Sequence, residues 1–126
     1  MRRLLLVAAL LALLPLLPLP ALAQGWMPQR VAQLQALDKV TARVSVLRVP
    51  LDQPERFGSL TITVRACNAR PPAEVPDAAA WLEISDSRAQ QGATPAIRGW
   101  MIANAPGVSM LEHPVYDIRL LECGAR

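Results

Sequence analysis

The sequence predicts an all-β protein: a small antiparallel β-sandwich or partly open barrel of about five strands, with a short N-terminal helical leader and one disulfide. Three observations predict this class. Apolar and polar residues alternate over several short segments, which is the pattern of half-buried strands. Turn-rich or proline-rich connections separate these segments, and no long helical pattern lies between them, which excludes parallel βαβ units. Two cysteines stand at the ends of predicted strands.

The first 23 residues predict an export signal. A basic start, Arg2-Arg3, precedes an unbroken apolar run over residues 4–14, and small residues precede the predicted cleavage site between Ala23 and Gln24. The segment is also long enough to be an uncleaved membrane anchor. Three prolines after the apolar run favour cleavage, because they end the helix at the length of a signal h-region. We therefore expect a periplasmic protein with no stable membrane insertion after cleavage.

The charge of the remaining chain argues against a nucleic-acid partner. The full chain has 13 basic and 10 acidic residues, a net charge of +3, and the loss of Arg2 and Arg3 lowers the net charge to +1. A nearly neutral domain presents no strong field to a polyanion. The sequence predicts a signal peptide at 1–23, an N-terminal leader at 24–36 and a single β domain at 37–126.

The leader and the first predicted strand differ in their apolar period. Val31, Leu34 and Leu37 recur at helical spacing, which predicts one or two helical turns, with a flexible arm as the alternative. From residue 40 the period is two, which predicts a half-buried strand, and a change of parity after residue 46 predicts a bulge. The apolar face of this strand consists of Val40, Ala42, Val44 and Val46, and Leu47 and Val49 follow the change.

Four further strands are predicted, and they span residues 60–67, 80–86, 97–103 and 115–123. Cys67 and Cys123 end two of them. An even number of cysteines in a small exported domain favours a disulfide, which stabilises by on the order of 4 kcal/mol for a loop of this length. A redox-active pair is the alternative, but the chain has no Cys-x-x-Cys motif.

The densest polar segment is a turn before the last strand, and its candidate site residues are Glu112, His113, Tyr116 and Asp117. A zinc site lacks ligands, because the chain has one histidine. A hydrolase lacks a recognisable nucleophile motif. The pairs Glu83 with Asp86 and Glu112 with Asp117 show no spacing that would place two carboxylates across a cleft. We therefore expect no metal, no cofactor and no catalytic residue, and a turn with a structural role.

Three tryptophans are candidates for binding, because an exposed indole is a common platform for a sugar ring or a peptide. Trp81 shares the polar face of its strand with Glu83 and Ser85 and is the one expected to face solvent. Trp100 lies in an apolar run, which predicts a core position, with a ligand-binding role as the alternative. Trp26 lies in the leader.

Several segments together resemble one family, the exported proteobacterial family named domain of unknown function 2155 (DUF2155). They cover residues 37–123 and are LDKVTAR at 37–43, GSL at 58–60, RAC at 65–67, GWM at 99–101, LEHPVYD at 111–117 and LEC at 121–123. The resemblance implies a signal peptide and two cysteines. Some members of the family have the label cellulose-binding protein. One departure is Ile97-Arg98 before Gly99, where an aromatic followed by a small residue is commoner.

These observations favour a non-enzymatic periplasmic binding or envelope accessory protein, whose partner is an envelope protein or a glycan. The first alternative is recognition of a cellulose-like carbohydrate through Trp81 and Trp100. A small hydrolase that uses the turn at 112–117 is the less favoured one. An exposed edge strand could also recruit a partner by strand addition, and the sequence does not show which strand lies at an edge.

Overall fold

The computed structural model describes residues 25–88 and 97–126. The export segment and the predicted cleavage site at Ala23 and Gln24 lie outside the described residues. The elements are, in chain order, β1 (Met27–Pro28), β2 (Val31–Asp38), β3 (Arg43–Pro50), β4 (Glu55–Phe57), β5 (Leu60–Ala69), β6 (Ala78–Asp86), β7 (Ile97–Ile102), α1 (Pro106–Ser109), β8 (Leu111–Glu112) and β9 (Tyr116–Gly124). Within the described ranges, no helix is long and apolar enough to cross a membrane.

The strands form two antiparallel sheets that pack against each other and do not close into a barrel. Sheet A has the order β1-β5-β6-β7, with β4 paired to the same edge of β5 as β1, and sheet B has the order β3-β2-β9-β8. The predicted all-β fold is therefore confirmed. The predicted strands at 60–67, 80–86, 97–103 and 115–123 correspond to β5, β6, β7 and β9.

Both sheets contribute alternate residues to one core, as expected for a sandwich. The largest fully buried side chains are Leu34, Leu60, Ile62, Leu82, Ile84, Met101, Ile118, Val49 and Val64. A disulfide joins Cys67 in β5 to Cys123 in β9, with 5.6 Å between the Cα atoms, so it links sheet A to sheet B. This confirms the predicted pairing.

The predicted helical leader is wrong, because residues 27–28 form strand β1 and residues 31–38 form strand β2. Strand β2 pairs with β3 on one side and β9 on the other. Ala32, Leu34 and Ala36 are fully buried and define a period of two. Two of these three side chains are methyl groups, so the larger Val31 and Leu37 on the opposite face dominate the apolar pattern and produce the helical spacing.

The predicted apolar face of the next strand is also wrong. Val44 and Val46 are on the outer face of sheet B, 58% exposed each, whereas Leu47 and Val49 point towards the core. The pairing of β3 with β2 is continuous, so the predicted bulge is absent there, and the irregularity lies instead between β2 and β9 at Gln33/Leu34. The strand begins only at Arg43, because a turn that ends with Ala42 at φ 57° precedes it.

Candidate functional site

The outer face of sheet A brings two distant tryptophans together. Trp81 in β6 is the cross-strand neighbour of Trp100 in β7, and the ring centroids are 5.7 Å apart at an interplanar angle of 77°. Edge-to-face pairs of this geometry are favourable beyond the area that they bury. On the same face, Glu83 follows Trp81 along β6, and Ile102 follows Trp100 along β7.

Trp100 is exposed, which corrects the predicted core position. Its side chain is 48% exposed, whereas the next residue, Met101, is 1% exposed. Side chains alternate between the two faces of a strand, so burial of Met101 directs Trp100 to the outer face. Trp81 is half-buried on that outer face with Glu83, because Leu82 and Ile84 fill the core.

Trp26 completes this surface, and nothing in the sequence apart from its residue type indicated this position. The pairing of β1 with the end of β5 holds the start of the described chain on sheet A. The Arg70 guanidinium lies 4.0 Å from the centroid of the Trp26 ring, a cation–π distance. Trp26 and Trp100 line an open cavity of about 300 Å³ together with Asn68, Ala79 and Ile102. We call these five residues and Trp81 the tryptophan surface.

A row of ionic side chains borders the tryptophan surface. Arg65 contacts Asp52 at 2.9 Å and Glu83 at 3.4 Å, and Arg98 contacts Glu83 at 3.6 Å. The hydrogen bond from Arg65 to Asp52 and the charge of Glu83 raise the pKa of the Arg65 guanidinium. Glu83 is therefore an ion-pair partner of two arginines, which agrees poorly with a role as one of a pair of catalytic carboxylates.

The polar turn at 112–117 does not form one site. Its histidine, His113, lies with Nε2 2.7 Å from Oδ2 of Asp86, and its Nδ1 accepts a hydrogen bond from the Val115 backbone N–H at 3.0 Å. A neutral imidazole with these two partners has its proton on Nε2 and donates it to Asp86. Both ring nitrogens are thus occupied, so neither is available to a nucleophile.

Tyr116 and Asp117 of this turn point in different directions. Tyr116 is buried in the core, where its ring stacks on His113 and its hydroxyl oxygen accepts the Ser59 backbone N–H at 3.4 Å. Asp117 is on the outer face of sheet B and forms an ion pair with Lys39 at 3.0 Å. Glu112 pairs with Asp117 through the backbone of β8. The tryptophan surface and Asp117 therefore lie on opposite faces of the sandwich.

Asp86 is the carboxylate that the sequence did not connect with this turn. The Arg88 backbone N–H, at 2.9 Å from Oδ1, and the His113 ring lower the pKa of Asp86 to about 2. Hydrogen bonds to the ionised form cause such a shift. The contact joins the end of β6 to the segment between β8 and β9, so it connects the two sheets. Among the described residues, no group of three or more His, Cys, Asp or Glu side chains could hold a metal ion.

The fold and the surface define a small disulfide-linked β-sandwich with a tryptophan-rich outer face. The family model described as "Uncharacterized protein conserved in bacteria (DUF2155)" matches residues 32–123. The chain therefore belongs to this family, as the sequence motifs indicated.

A curated relative is similar to most of this chain. It is "Uncharacterized protein RP359" of Rickettsia prowazekii (strain Madrid E), which is 25% identical over 88 residues. The match covers 70% of this chain and 57% of the relative, so the chain spans little more than half of the relative's length. No solved structure matches the chain.

Proposed function

We propose that this protein is a non-enzymatic binding protein of the bacterial envelope, and that the tryptophan surface holds its ligand. One observation carries the proposal. The chain has three tryptophans, far apart in sequence, and all three lie on the outer face of sheet A. Large exposed apolar patches are typical of interaction sites.

The chemistry of tryptophan supports a binding role in particular. Trp100 buries a large area when a partner covers it, and aromatic residues and arginine are enriched among the residues that dominate binding energy. Arg70 already packs on one ring, so Trp26 is held in place before the ligand arrives. A surface that is ordered in advance loses less entropy on binding.

The envelope location rests on two features. The disulfide between Cys67 and Cys123 is typical of proteins in oxidising compartments. The pattern of the first 23 residues is typical of a cleaved signal peptide. Together they favour the periplasm.

A hydrolase that uses Glu112, His113 and Asp117 has less support. A general base needs a ring nitrogen within reach of the proton that it removes. Both nitrogens of His113 have partners within the protein, and Asp117 is paired with Lys39 on the outer face of sheet B. The geometry favours a structural turn.

The test for an envelope protein partner is affinity capture of tagged variants expressed with export in the native bacterium. We expect a reproducible partner with the wild type, and its recovery falls at least about tenfold with Trp100→Ala. Val108→Ala is the control, because Val108 is a 90% exposed apolar residue in α1, outside the tryptophan surface. Equal recovery with wild type and Trp100→Ala contradicts a protein partner at this surface.

Carbohydrate binding is the second candidate, and the position of Asn68 favours it. Its amide lies in the wall of the same cavity as Trp100, and sugar sites commonly combine an indole platform with hydrogen-bonding side chains. The probe is soluble hydroxyethyl cellulose in a native affinity gel. We expect the polysaccharide to retard the wild type, and Trp100→Ala and Trp81→Ala to abolish the retardation while the circular dichroism spectrum stays unchanged. Equal migration of all three in gels with and without polysaccharide contradicts this candidate.

A further inference from the structure

Strand β3 is an edge of sheet B with an open backbone. All eight of its residues pair with β2, from Arg43 opposite Asp38 to Pro50 opposite Val31. Within the described ranges, no strand pairs with its other side. Alternate N–H and C=O groups of an edge strand point away from the sheet and can form hydrogen bonds with another strand. This backbone geometry specifies an extended occupant.

The outer face of this edge is apolar. Val44 and Val46 are exposed on it, and they stand beside the half-buried Leu37 and the Gln35 amide of β2. Natural edge strands are commonly protected by charge, proline or short length. Here the middle of an eight-residue strand has valines in exposed positions, so a paired strand with apolar residues on the same face would bury them.

The positive charge of β3 indicates that its partner is acidic. Residues 43–50 include Arg43 and Arg48 and no acidic residue. Neither guanidinium is in an ion pair with a carboxylate of the described residues. A second copy of β3 has no acidic residue to place opposite Arg48. An acidic strand would place a carboxylate opposite Arg48.

Val44, Val46 and Arg48 share the outer face of β3, because they are alternate residues of one strand. We propose that β3 is a docking edge for an extended segment of a partner protein that presents two apolar residues and one acidic residue at alternate positions, and therefore on one face. The segment adds as a further strand of sheet B, covers Val44 and Val46, and pairs a carboxylate with Arg48. This edge and the tryptophan surface belong to different sheets, so the inference does not depend on the proposed function.

The test uses fluorescein-labelled, end-capped peptides with glutamate, valine and valine at three alternate positions and threonine between them. In the control peptide, lysine replaces the glutamate. The exported, oxidised protein is titrated and anisotropy is measured. We expect saturable binding of the glutamate peptide and none of the lysine peptide. Val46→Lys and Arg48→Glu weaken binding of the glutamate peptide at least about tenfold. Val46→Lys sets a charged side chain against a valine of the peptide, and Arg48→Glu sets a like charge against its glutamate. Val108→Lys, on α1, leaves binding unchanged.

Two further measurements decide between strand addition and other modes. Arg48→Glu is expected to bind the lysine peptide, which a merely unfolded variant could not do. A glutamate peptide with N-methyl groups on alternate amides is expected to lose binding on the wild type, because it cannot donate to the edge. Three outcomes overturn the proposal. The wild type does not bind the glutamate peptide, it binds the lysine peptide equally well, or Arg48→Glu still binds the glutamate peptide. A dimer of the wild type in sedimentation that Val46→Lys abolishes overturns it as well, since a second copy would then occupy the edge.

Discussion

Gly58 is the position where the structure allows no side chain. It joins β4 to β5 at φ 57°, a backbone region that favours glycine. A Cβ atom at this position would overlap the Tyr116 hydroxyl oxygen and lie 2.5 Å from Cζ. The ring cannot simply move aside, because it packs edge-on against Phe57 and stacks on His113, with both centroid distances at 5.4 Å. Gly58→Ala is therefore expected to destabilise the protein.

The expected loss follows from two terms. The left-handed conformation costs an alanine about 1 kcal/mol relative to glycine. Displacement of the buried Tyr116 ring costs about 1–3 kcal/mol, the usual range for overpacking of a core. Their sum, about 2–4 kcal/mol, is a large part of the 5–15 kcal/mol that is typical of folded domains.

The assay is urea unfolding of the oxidised protein, followed by circular dichroism. Gly107→Ala is the control, because a Cβ there meets nothing within 4 Å, and we expect it to change the free energy of unfolding by less than about 0.5 kcal/mol. In a Tyr116→Phe background, Gly58→Ala should cost at least about 1 kcal/mol less, because the nearest atom is removed. An unchanged cost in that background would refute the steric explanation.

Three other predictions concern stability. Ala42→Gly raises the free energy of unfolding by about 1 kcal/mol, because Ala42 has φ 57°, and a lower urea midpoint would contradict this. Asp86 has a pKa of about 2, below the value near 3.9 of an unfolded chain, so its contribution is complete above about pH 4 and is lost towards pH 2. Asp86→Asn should therefore lose less stability than the wild type between these pH values in urea titrations. The double change Cys67→Ser with Cys123→Ser should cost about 4 kcal/mol, because the disulfide spans 56 residues, and an unchanged midpoint would contradict the entropic account.

The sequence predicted the fold where alternation involved large side chains. Strand β5 is the clearest case, because Leu60, Ile62 and Val64 are all fully buried. Strand β2 was missed because alanines at 32 and 36 give a weak apolar signal, although they are as buried as leucines. A hydrophobicity pattern gives more weight to large apolar side chains than to small ones. A strand whose buried residues are mostly alanines therefore produces a weak signal.

The candidate site was predictable in composition but not in arrangement. Trp81 and Trp100 were singled out by residue type, and their contact depends on the register of β6 with β7, which no local pattern contains. The same holds for His113 and Asp86, which are 27 residues apart and meet only because the two sheets pack. Trp26 joins the surface through the pairing of a two-residue strand.

The residues whose burial was predicted wrongly are the ones that indicate interaction surfaces. Alternation divides a strand into two faces, but it does not say which face the core covers, so an apolar residue is assigned to the core by default. Val44, Val46 and Trp100 face outwards, whereas Leu47, Val49 and Met101 on the same strands face the core. A strand with apolar residues on both faces needs a second covering layer, and within the described chain no element supplies it. The residues for which the simple pattern failed are thus the ones on which both proposed interaction surfaces rest.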